Sequence, residues 1–457
     1  MKFQNPEDTI CALSTPQGMG AIAVIRLSGS DTFKIINEVF SRDITEIPSH
    51  KVIFGTIKDG EEIIDEIVLS IYRNPNSFTG EDIAEISCHG STYIQERILN
   101  LLINKGARLA GPGEFSLRAF LNGKMDLSQT EAIADLISSR SKAAHKVAMN
   151  QMRGGFSQEI SALRQELLNF ASLIELELDF SEEDVEFADR KELTDLLDKI
   201  DKKVNSLVAS FQYGNVLKSG VPVAIVGAPN AGKSTLLNAL LNEDRAIVSD
   251  IAGTTRDTVE DTIVLDGIEF RFIDTAGIRD TKDSIETEGI RKAFEKIKKA
   301  RIILLLFDLE GVRDDEIIEQ ISLFEKKSVQ EDQELICLFN KSDKVKVDDR
   351  VNLKDIGLFI SAKKGEEIDD LKKILVSRVK SVSSYDDTVV TNVRHHEILK
   401  KVAASIQKVK DGMDQQITGD LLAMDIRETL NLLGEITGEI TTDDLLGNIF
   451  ANFCIGK

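Results

Sequence analysis

The sequence has no tryptophan, only four cysteines and only seven prolines in 457 residues. Cys11, Cys88, Cys337 and Cys454 lie far apart and form no CxxC pair. His50, His89, His145, His395 and His396 show no zinc-ligand spacing with them. This pattern excludes a disulfide framework or a zinc module and points to free thiols in a reducing compartment. Positive charge is also scarce: 56 Lys and Arg face 77 Asp and Glu, a formal net charge of −21. So acidic a chain repels a phosphate backbone at long range, which argues against a strong, sequence-blind grip on nucleic acid. A local basic site, or RNA held mainly by a partner, stays open. No run reaches the roughly 18 apolar residues of a membrane span, so no membrane partner is expected. Met1 to Asp8 has no apolar stretch of the signal-peptide kind, so a cytoplasmic location is the expectation.

What is present is ordinary globular material, 42% hydrophobic and 29% charged. The length suggests two to four domains. Residues 1–120 read as mixed α/β, with strand-like runs at Ala21–Ile25, Val52–Phe54 and Ile67–Tyr72 separated by turns at Asn74-Pro75-Asn76 and Gly111-Pro112-Gly113. From about Asp126 helical spacing takes over. Leu193, Leu196, Leu197, Ile200, Val204, Leu207, Val208 and Phe211 recur at three and four, one face of a long amphipathic helix. Gly154-Gly155 and the acidic stretch Glu175 to Asp189 interrupt the helices. That stretch is either a solvated connection or a cation site, and its composition favours the former. Near Gly214 strands begin to alternate with helices, at Val223–Val226, Phe270–Ile273, Ile302–Phe307 and Leu335–Phe339, the mark of a mostly parallel sheet covered on both faces. After about Ser381 helices resume. The expected organisation is residues 1–120, a helical domain split into 121–215 and 381–457, and an α/β domain, 216–380, inserted in it.

Within the α/β block stands Gly227-Ala228-Pro229-Asn230-Ala231-Gly232-Lys233-Ser234, after a strand and before a helix beginning near Thr235. This is the P-loop pattern in its required context. Glycines let backbone N–H groups turn toward phosphate, and the helix presents its positive end to the same anion. Lys233 reaches β- and γ-phosphates, and Ser234 offers a hydroxyl to Mg²⁺. Asn340-Lys341-Ser342-Asp343 specifies the base. A carboxylate at Asp343 accepts from both N1–H and the amino group of guanine, a donor pair that adenine lacks. Asn340 is suited to the ring's other edge and Lys341 to its face, and Ser361-Ala362-Lys363 fits the loop supporting the same base. Between these motifs, Thr254-Thr255-Arg256-Asp257 offers Thr255 as a second hydroxyl for Mg²⁺. Asp274-Thr275-Ala276-Gly277 offers a carboxylate to hold the metal through water and a Gly277 N–H for the γ-phosphate. Loss of that phosphate would release both loops. The next residue is Ile278, where Ras-like switches place a water-orienting glutamine. With no polar atom there, and no evident arginine finger, hydrolysis needs another charge and another water-positioning group.

The whole chain resembles the MnmE (TrmE) family of tRNA-modification GTPases. The resemblance rests on Asn76-Ser-Phe-Thr-Gly-Glu-Asp82, Pro112-Gly-Glu-Phe-Ser116, Arg118-Ala-Phe-Leu-Asn122, Asp250-Ile-Ala-Gly-Thr-Thr-Arg-Asp257 and the terminal Cys454-Ile455-Gly456-Lys457. It implies a multidomain α/β and all-α fold: an N-terminal α+β folate-binding-like dimerisation domain, a helical domain, and an inserted Ras-like P-loop G domain. It implies a homodimer that binds GTP and GDP and joins an FAD-dependent partner, MnmG, in a heterotetramer. Together they install a carboxymethylaminomethyl or aminomethyl group at C5 of the tRNA wobble uridine, using 5-formyl- or 5,10-methylene-tetrahydrofolate. FAD is expected only through that partner, and the acidity of this chain leads to the expectation that the partner contributes much of the tRNA grip.

The resemblance further implies K⁺ in place of the finger, held by Asn230, Ser249, Ile251 and Thr254. Asp250, Ala252 and Gly253 complete that GTP-binding loop, and Glu286 is the catalytic, water-orienting carboxylate. Ser249 stands where threonine is common, a change that a backbone-carbonyl contact survives. The lesser, competing reading is that Glu286 merely begins an exposed helix. The implied folate contacts are Arg26, Glu85, Lys124 and Lys457: cations for the glutamate tail and a carboxylate for the pterin's donor edge. No base is placed beside Cys454. Two other classes compete. A regulatory or ribosome-assembly GTPase would usually add a basic RNA-binding domain, which this acidic chain lacks. A folate-dependent transferase with an accessory G domain would not need both the Asp274 and the Asn340 motifs.

Overall fold

The structure, a computed structural model, describes residues 8–179, 190–242, 261–273, 297–330, 333–380, 389–415, 417–451, 453 and 456. The N-terminal part holds β1 (Ile10–Leu13), β2 (Ile22–Ser28), α1 (Thr32–Val39), β3 (Lys51–Asp59), β4 (Glu62–Tyr72), β5 (Ile83–His89), α2 (Thr92–Asn104), β6 (Arg108–Leu109) and α3 (Glu114–Leu121). Its six strands form one sheet in the order β3-β4-β5-β2-β1-β6, antiparallel except for the β1–β6 edge. Alternation puts Ile67, Leu69 and Ile71 of β4, with Ala84, Ile86 and Cys88 of β5, into one core with Ile35, Ile36, Ile98 and Leu102 of the helices.

Helices follow: α4 (Leu127–Ser138), α5 (Lys142–Met152), α6 (Gly155–Asp179) and α7 (Arg190–Ser219). The start of α4 is written in Asp126-Leu127-Ser128-Gln129. The Gln129 N–H donates to Asp126 Oδ1 at 2.8 Å and the Asp126 N–H to Gln129 Oε1 at 2.9 Å, a reciprocal capping box. Replacing Asp126 with alanine is expected to lower stability by about 1 kcal/mol, measured as a shift of the urea midpoint. Gly154, at φ +84°, breaks α5 from α6. Contrary to the sequence expectation, the acidic stretch does not interrupt the helix at Glu175: α6 continues to Asp179. Apolar spacing persists there, with Ile174 buried, and Glu175 pairs with Arg427 at 2.7 Å. Along α7, Leu193, Leu197, Ile200, Val204 and Leu207 are buried, as their spacing predicts.

Next come β7 (Val221–Gly227), α8 (Lys233–Asn242), β8 (Asp261–Leu265), β9 (Ile268–Phe272), β10 (Ile302–Asp308), α9 (Asp314–Ser328), β11 (Glu334–Asn340), β12 (Gly357–Ile360) and α10 (Ile368–Lys380). Their sheet has the order β12-β11-β10-β7-β9-β8 and is parallel throughout except for the β8–β9 hairpin. Buried on both faces, β10 reads as an unbroken apolar run. The chain ends in α11 (Val393–Asp414), α12 (Gly419–Thr437) and α13 (Asp443–Phe450). Two compact units result. One comprises residues 1–137, 149–202 and 398–457; the other comprises 138–148 and 203–397. In the first, α6 packs along α12, and Leu117, Leu127, Leu446 and Phe450 form a cluster joining α3, α4 and α13. The second contains the parallel sheet. Among the described residues no helix is long and apolar enough to cross a membrane.

Candidate functional site

The parallel sheet places Gly227, Asp308, Asn340 and Ile360 at one end, because β7, β10, β11 and β12 run in the same direction and are registered side by side. Ligands in such sheets sit beyond these carboxyl ends. The P-loop leaves β7 there. Asn230 stands at φ +65° and Gly232 at φ +99°, so the loop curls before α8 begins at Lys233. A Cβ on Gly227 would strike the Leu306 carbonyl, and one on Gly232 would strike the Asn340 side-chain amide. Both positions therefore require glycine on steric grounds, beyond the freedom that the φ of Gly232 demands. Lys233 Nζ donates to the Gly227 and Ala228 carbonyls, each at 2.9 Å, so its ammonium lies over the mouth of the loop. Ser234 occupies the first turn of α8, Ala231 is buried, and Asn230 and Thr235 are exposed.

Asn340 is buried, and both ends of its amide serve the protein. Its Nδ2 donates to Ala231 O at 2.7 Å, and its Oδ1 accepts from the Ala362 N–H at 3.0 Å. It therefore ties the P-loop to the Ser361-Ala362-Lys363 loop, a bracing role that its sequence motif did not reveal. Lys341 takes a left-handed backbone, φ +65°, at the entrance to the short turn Ser342–Lys344, and its ammonium is paired with Asp308. Asp308 at the end of β10 was not singled out from sequence. The sequence carried only part of the signal, a carboxylate closing an apolar strand; its place beside Asn340 comes from the β10–β11 register. Glu310 extends the set, accepting from Lys344 at 2.7 Å. Asp343 accepts from the buried Ser361 hydroxyl at 2.8 Å, with Lys364 at 3.9 Å. The Ser361 hydrogen bond holds its carboxyl below the ordinary range. Asp343 thus stays ionised and purely an acceptor at neutral pH. Lys363 is exposed on the same loop.

Several sequence-predicted residues lie outside the described ones: Ser249, Asp250, Ile251, Ala252, Gly253, Thr254, Thr255, Asp274, Thr275, Ala276, Gly277, Glu286 and Lys457, together with Ile278 and Cys454.

In the N-terminal sheet, Arg26 of β2 and Glu85 of β5 are directly opposite each other, with Arg26 Nε donating to Glu85 Oε1 at 2.8 Å. The guanidinium lies 5.3 Å from the centre of the Phe78 ring and 5.7 Å from that of Phe115. Lys124 Nζ donates to the Pro75 carbonyl at 2.9 Å and lines a hollow with Phe78, His50 and Tyr72. Phe78 thus borders both the Arg26–Glu85 pair and the hollow of Lys124. Behind them lies an ion network absent from the sequence reading. Arg118, 4% exposed, reaches Asp8, Glu81 and Glu114, while Arg108 bridges Asp8 and Glu114. Ser28 donates to Glu81 at 2.6 Å, and Asn122 donates to the Thr79 carbonyl at 2.8 Å. The motifs around residues 76–82 and 112–122 are therefore bound to one another. Gly456, near the chain end, accepts at its carbonyl from Ser14 Oγ at 3.2 Å. Among the described residues no group of three or more His, Cys, Asp or Glu is arranged to hold a metal.

Two family models match the chain. "GTP-binding protein TrmE N-terminus" covers residues 9–124, and "MnmE helical domain" covers residues 127–454. Among curated relatives, a tRNA modification GTPase MnmE of Flavobacterium psychrophilum is 56% identical over 98% of this chain and 99% of its own. The protein of the same name from Flavobacterium johnsoniae is 54% identical over 99% of each. The one from Bacteroides thetaiotaomicron is 50% identical over 99% of this chain and all of its own.

Proposed function

This chain belongs to the tRNA modification GTPase MnmE family, and from that membership together with the site geometry we propose a potassium-dependent GTPase coupled to tRNA modification. It is a GTP hydrolase serving a change made to tRNA. The change is a carboxymethylaminomethyl or aminomethyl group at C5 of the wobble uridine. The chain makes it as a cytoplasmic homodimer joined to an FAD-dependent partner, MnmG, with a tetrahydrofolate as one-carbon donor. Residues 1–120 form the folate-binding and dimerisation domain, 216–380 the G domain, and 121–215 with 381–457 the helical domain.

One observation carries the GTP reading: Asp343, an acceptor pinned by Ser361, stands on loops that Asn340 ties to the P-loop. Base and phosphate recognition are thereby built as one piece. The residues fit the implied ions. The loop is a cradle that any Cβ at Gly227 or Gly232 would fill, with the Lys233 ammonium over it. Ser234 and Thr255 would hold Mg²⁺, with Asp274 acting through water. Asn230, Ser249, Ile251 and Thr254 would hold K⁺. The ions neutralise charge developing on the phosphates. Glu286 orients the attacking water, the task that Ile278 lacks the atoms to perform. The N-terminal sheet fits a folate: Arg26 and Glu85 offer a donor and an acceptor side by side against the Phe78 ring, and Lys124 adds a cation at the hollow. Lys457, outside the described residues, is the further cation that the family resemblance assigns.

The test is nucleoside mass spectrometry of bulk tRNA from cells lacking the gene, cells complemented with it, and cells complemented with Glu286→Ala. C5-modified wobble uridine should vanish with the gene, return with the intact protein, and stay absent with the variant. Persistence of the modification without the gene would overturn the reading. In the purified protein, replacing K⁺ by Na⁺ should lower kcat for GTP by at least about tenfold, as loss of a charge at the transferring phosphate does.

A further inference from the structure

At the opposite end of the parallel sheet from the P-loop, about 20 Å away along seven-residue strands, the start of β10 and the end of α7 border a recess of about 230 Å³. Its walls are apolar and aromatic, with Phe211 and Tyr213 of α7 facing Ile302 and Val379. Phe211 is fixed by His396, whose ring stacks on it at 4.0 Å between centroids. Among the described residues the rim is cationic: Lys298, Lys299, Arg301 and Arg378 stand around it with one carboxylate, Glu334. Arg378 is 3.4 Å from Glu334. Lys298 and Lys299 are exposed, and neither they nor the Arg301 side chain has an ion-pair or hydrogen-bond partner among the described residues. Their backbone is held in place. Gln333 Nε2 donates to the Ile297 carbonyl at 2.5 Å and to the Ala300 carbonyl at 2.7 Å, and the Arg301 N–H donates to Pro222 O at 2.8 Å.

Three cations without a partner among the described residues, beside an aromatic wall, are unusual in a chain of net charge −21. They are the chemistry that holds a single nucleic-acid strand, cations for phosphodiesters and ring faces for unstacked bases. We propose that this recess is a contact site for a single-stranded stretch of RNA, with Lys298, Lys299 and Arg301 on the phosphates and a base against Phe211 and Tyr213. The inference rests on the tRNA reading above and gives the acidic chain a local hold of its own. The aromatic wall favours RNA over an acidic peptide, which would use the cations and leave the rings unmatched. Binding here is weak and steeply salt-dependent, since the long-range field of the chain opposes it.

The experiment is fluorescence anisotropy of an unmodified tRNA transcript titrated with the full-length protein across a series of KCl concentrations. The triple variant Lys298→Gln/Lys299→Gln/Arg301→Gln is compared with the parent, with thermal unfolding of both as the check on folding. The parent should bind with a linear log–log salt dependence. The variant should bind at least about tenfold more weakly, with the slope reduced by about two, from roughly 0.7 per phosphate contact over three contacts. A decamer of uridylate should displace the transcript, and a polyglutamate of equal charge should not. Equal affinity and slope for parent and variant would overturn the proposal, as would displacement by polyglutamate as effective as by the decamer. Absence of any binding by the parent would overturn it too, while leaving the mass-spectrometric test of tRNA modification to stand on its own result.

Discussion

Replacing Asp343 with asparagine is expected to raise the KM for GTP by about 10³-fold and to turn xanthosine triphosphate into a substrate. Guanine presents two donors on one edge, N1–H and the 2-amino group. The Asp343 carboxylate offers two acceptors, held ionised and oriented by the Ser361 hydroxyl at 2.8 Å. Asparagine keeps one acceptor and turns the other into a donor, which then faces the guanine amino group. Xanthine carries a carbonyl at that carbon, so the same donor finds an acceptor. Turnover of xanthosine triphosphate by the variant should approach that of GTP by the parent, because the phosphate-binding Lys233 and Ser234 stand on the P-loop and α8, a different segment from residue 343. Steady-state kinetics with both nucleotides checks this. An unchanged KM for GTP in Asp343→Asn would remove Asp343 from base recognition. Ser361→Ala should show a smaller loss with no gain of xanthine, since the carboxylate survives but loses its orientation.

The base site also shows what can be read along a chain. Asn340-Lys341-Ser342-Asp343 and Gly227 to Ser234 are contiguous, and their spacing encodes which atoms can converge on one ligand, so these motifs were legible. Their supports were not. Asn340 bonds Ala231, 109 positions away, and Ala362, 22 positions away. Nothing in a four-residue motif announces that its asparagine is a brace between loops. Asp308, paired with Lys341, needed the β10–β11 register before it could be placed. The β8–β9 hairpin was a different kind of omission. Asp266-Gly267, at φ +47° and +80°, is the dipeptide that a tight two-residue turn demands. It stands in the sequence between Thr262-Ile263-Val264 and Phe270, but alternation of parallel strands with helices gives no sign of an antiparallel pair within the same sheet. The strands β7, β10 and β11 were legible because burial on both faces writes them as continuous apolar runs, and β9 because Phe270 and Phe272 alternate with Arg271.

Replacing Arg118 with alanine is expected to destabilise the N-terminal sheet by about 3–5 kcal/mol, enough to move its urea transition by about 1–3 M. Arg118 is 4% exposed and its two terminal nitrogens serve four acceptors: Asp8 Oδ1 at 2.5 Å, the Asp8 carbonyl at 2.7 Å, Glu81 at 3.2 Å and Glu114 at 3.3 Å. Alanine would leave three carboxylates in a half-buried cluster with Arg108 as the one cation paired with them among the described residues. Lysine should recover only part of the loss, because one ammonium cannot reproduce the fork. The pH dependence separates this electrostatic account from a loss of packing. Burial by itself raises the Asp8 and Glu114 carboxyls, yet the hydrogen bonds and charges of Arg108 and Arg118 bring both below their ordinary values. A carboxylate depressed in the folded state contributes stability above its unfolded pKa and loses it as the pH falls through the folded value. The gap between parent and Arg118→Ala should therefore be widest at neutral pH and narrow as the pH drops from about 5 toward about 2, where the orphaned carboxylates take up protons. A gap that stays constant across that range would mean that Arg118 acts through the space it fills and that the network has no electrostatic share in stability.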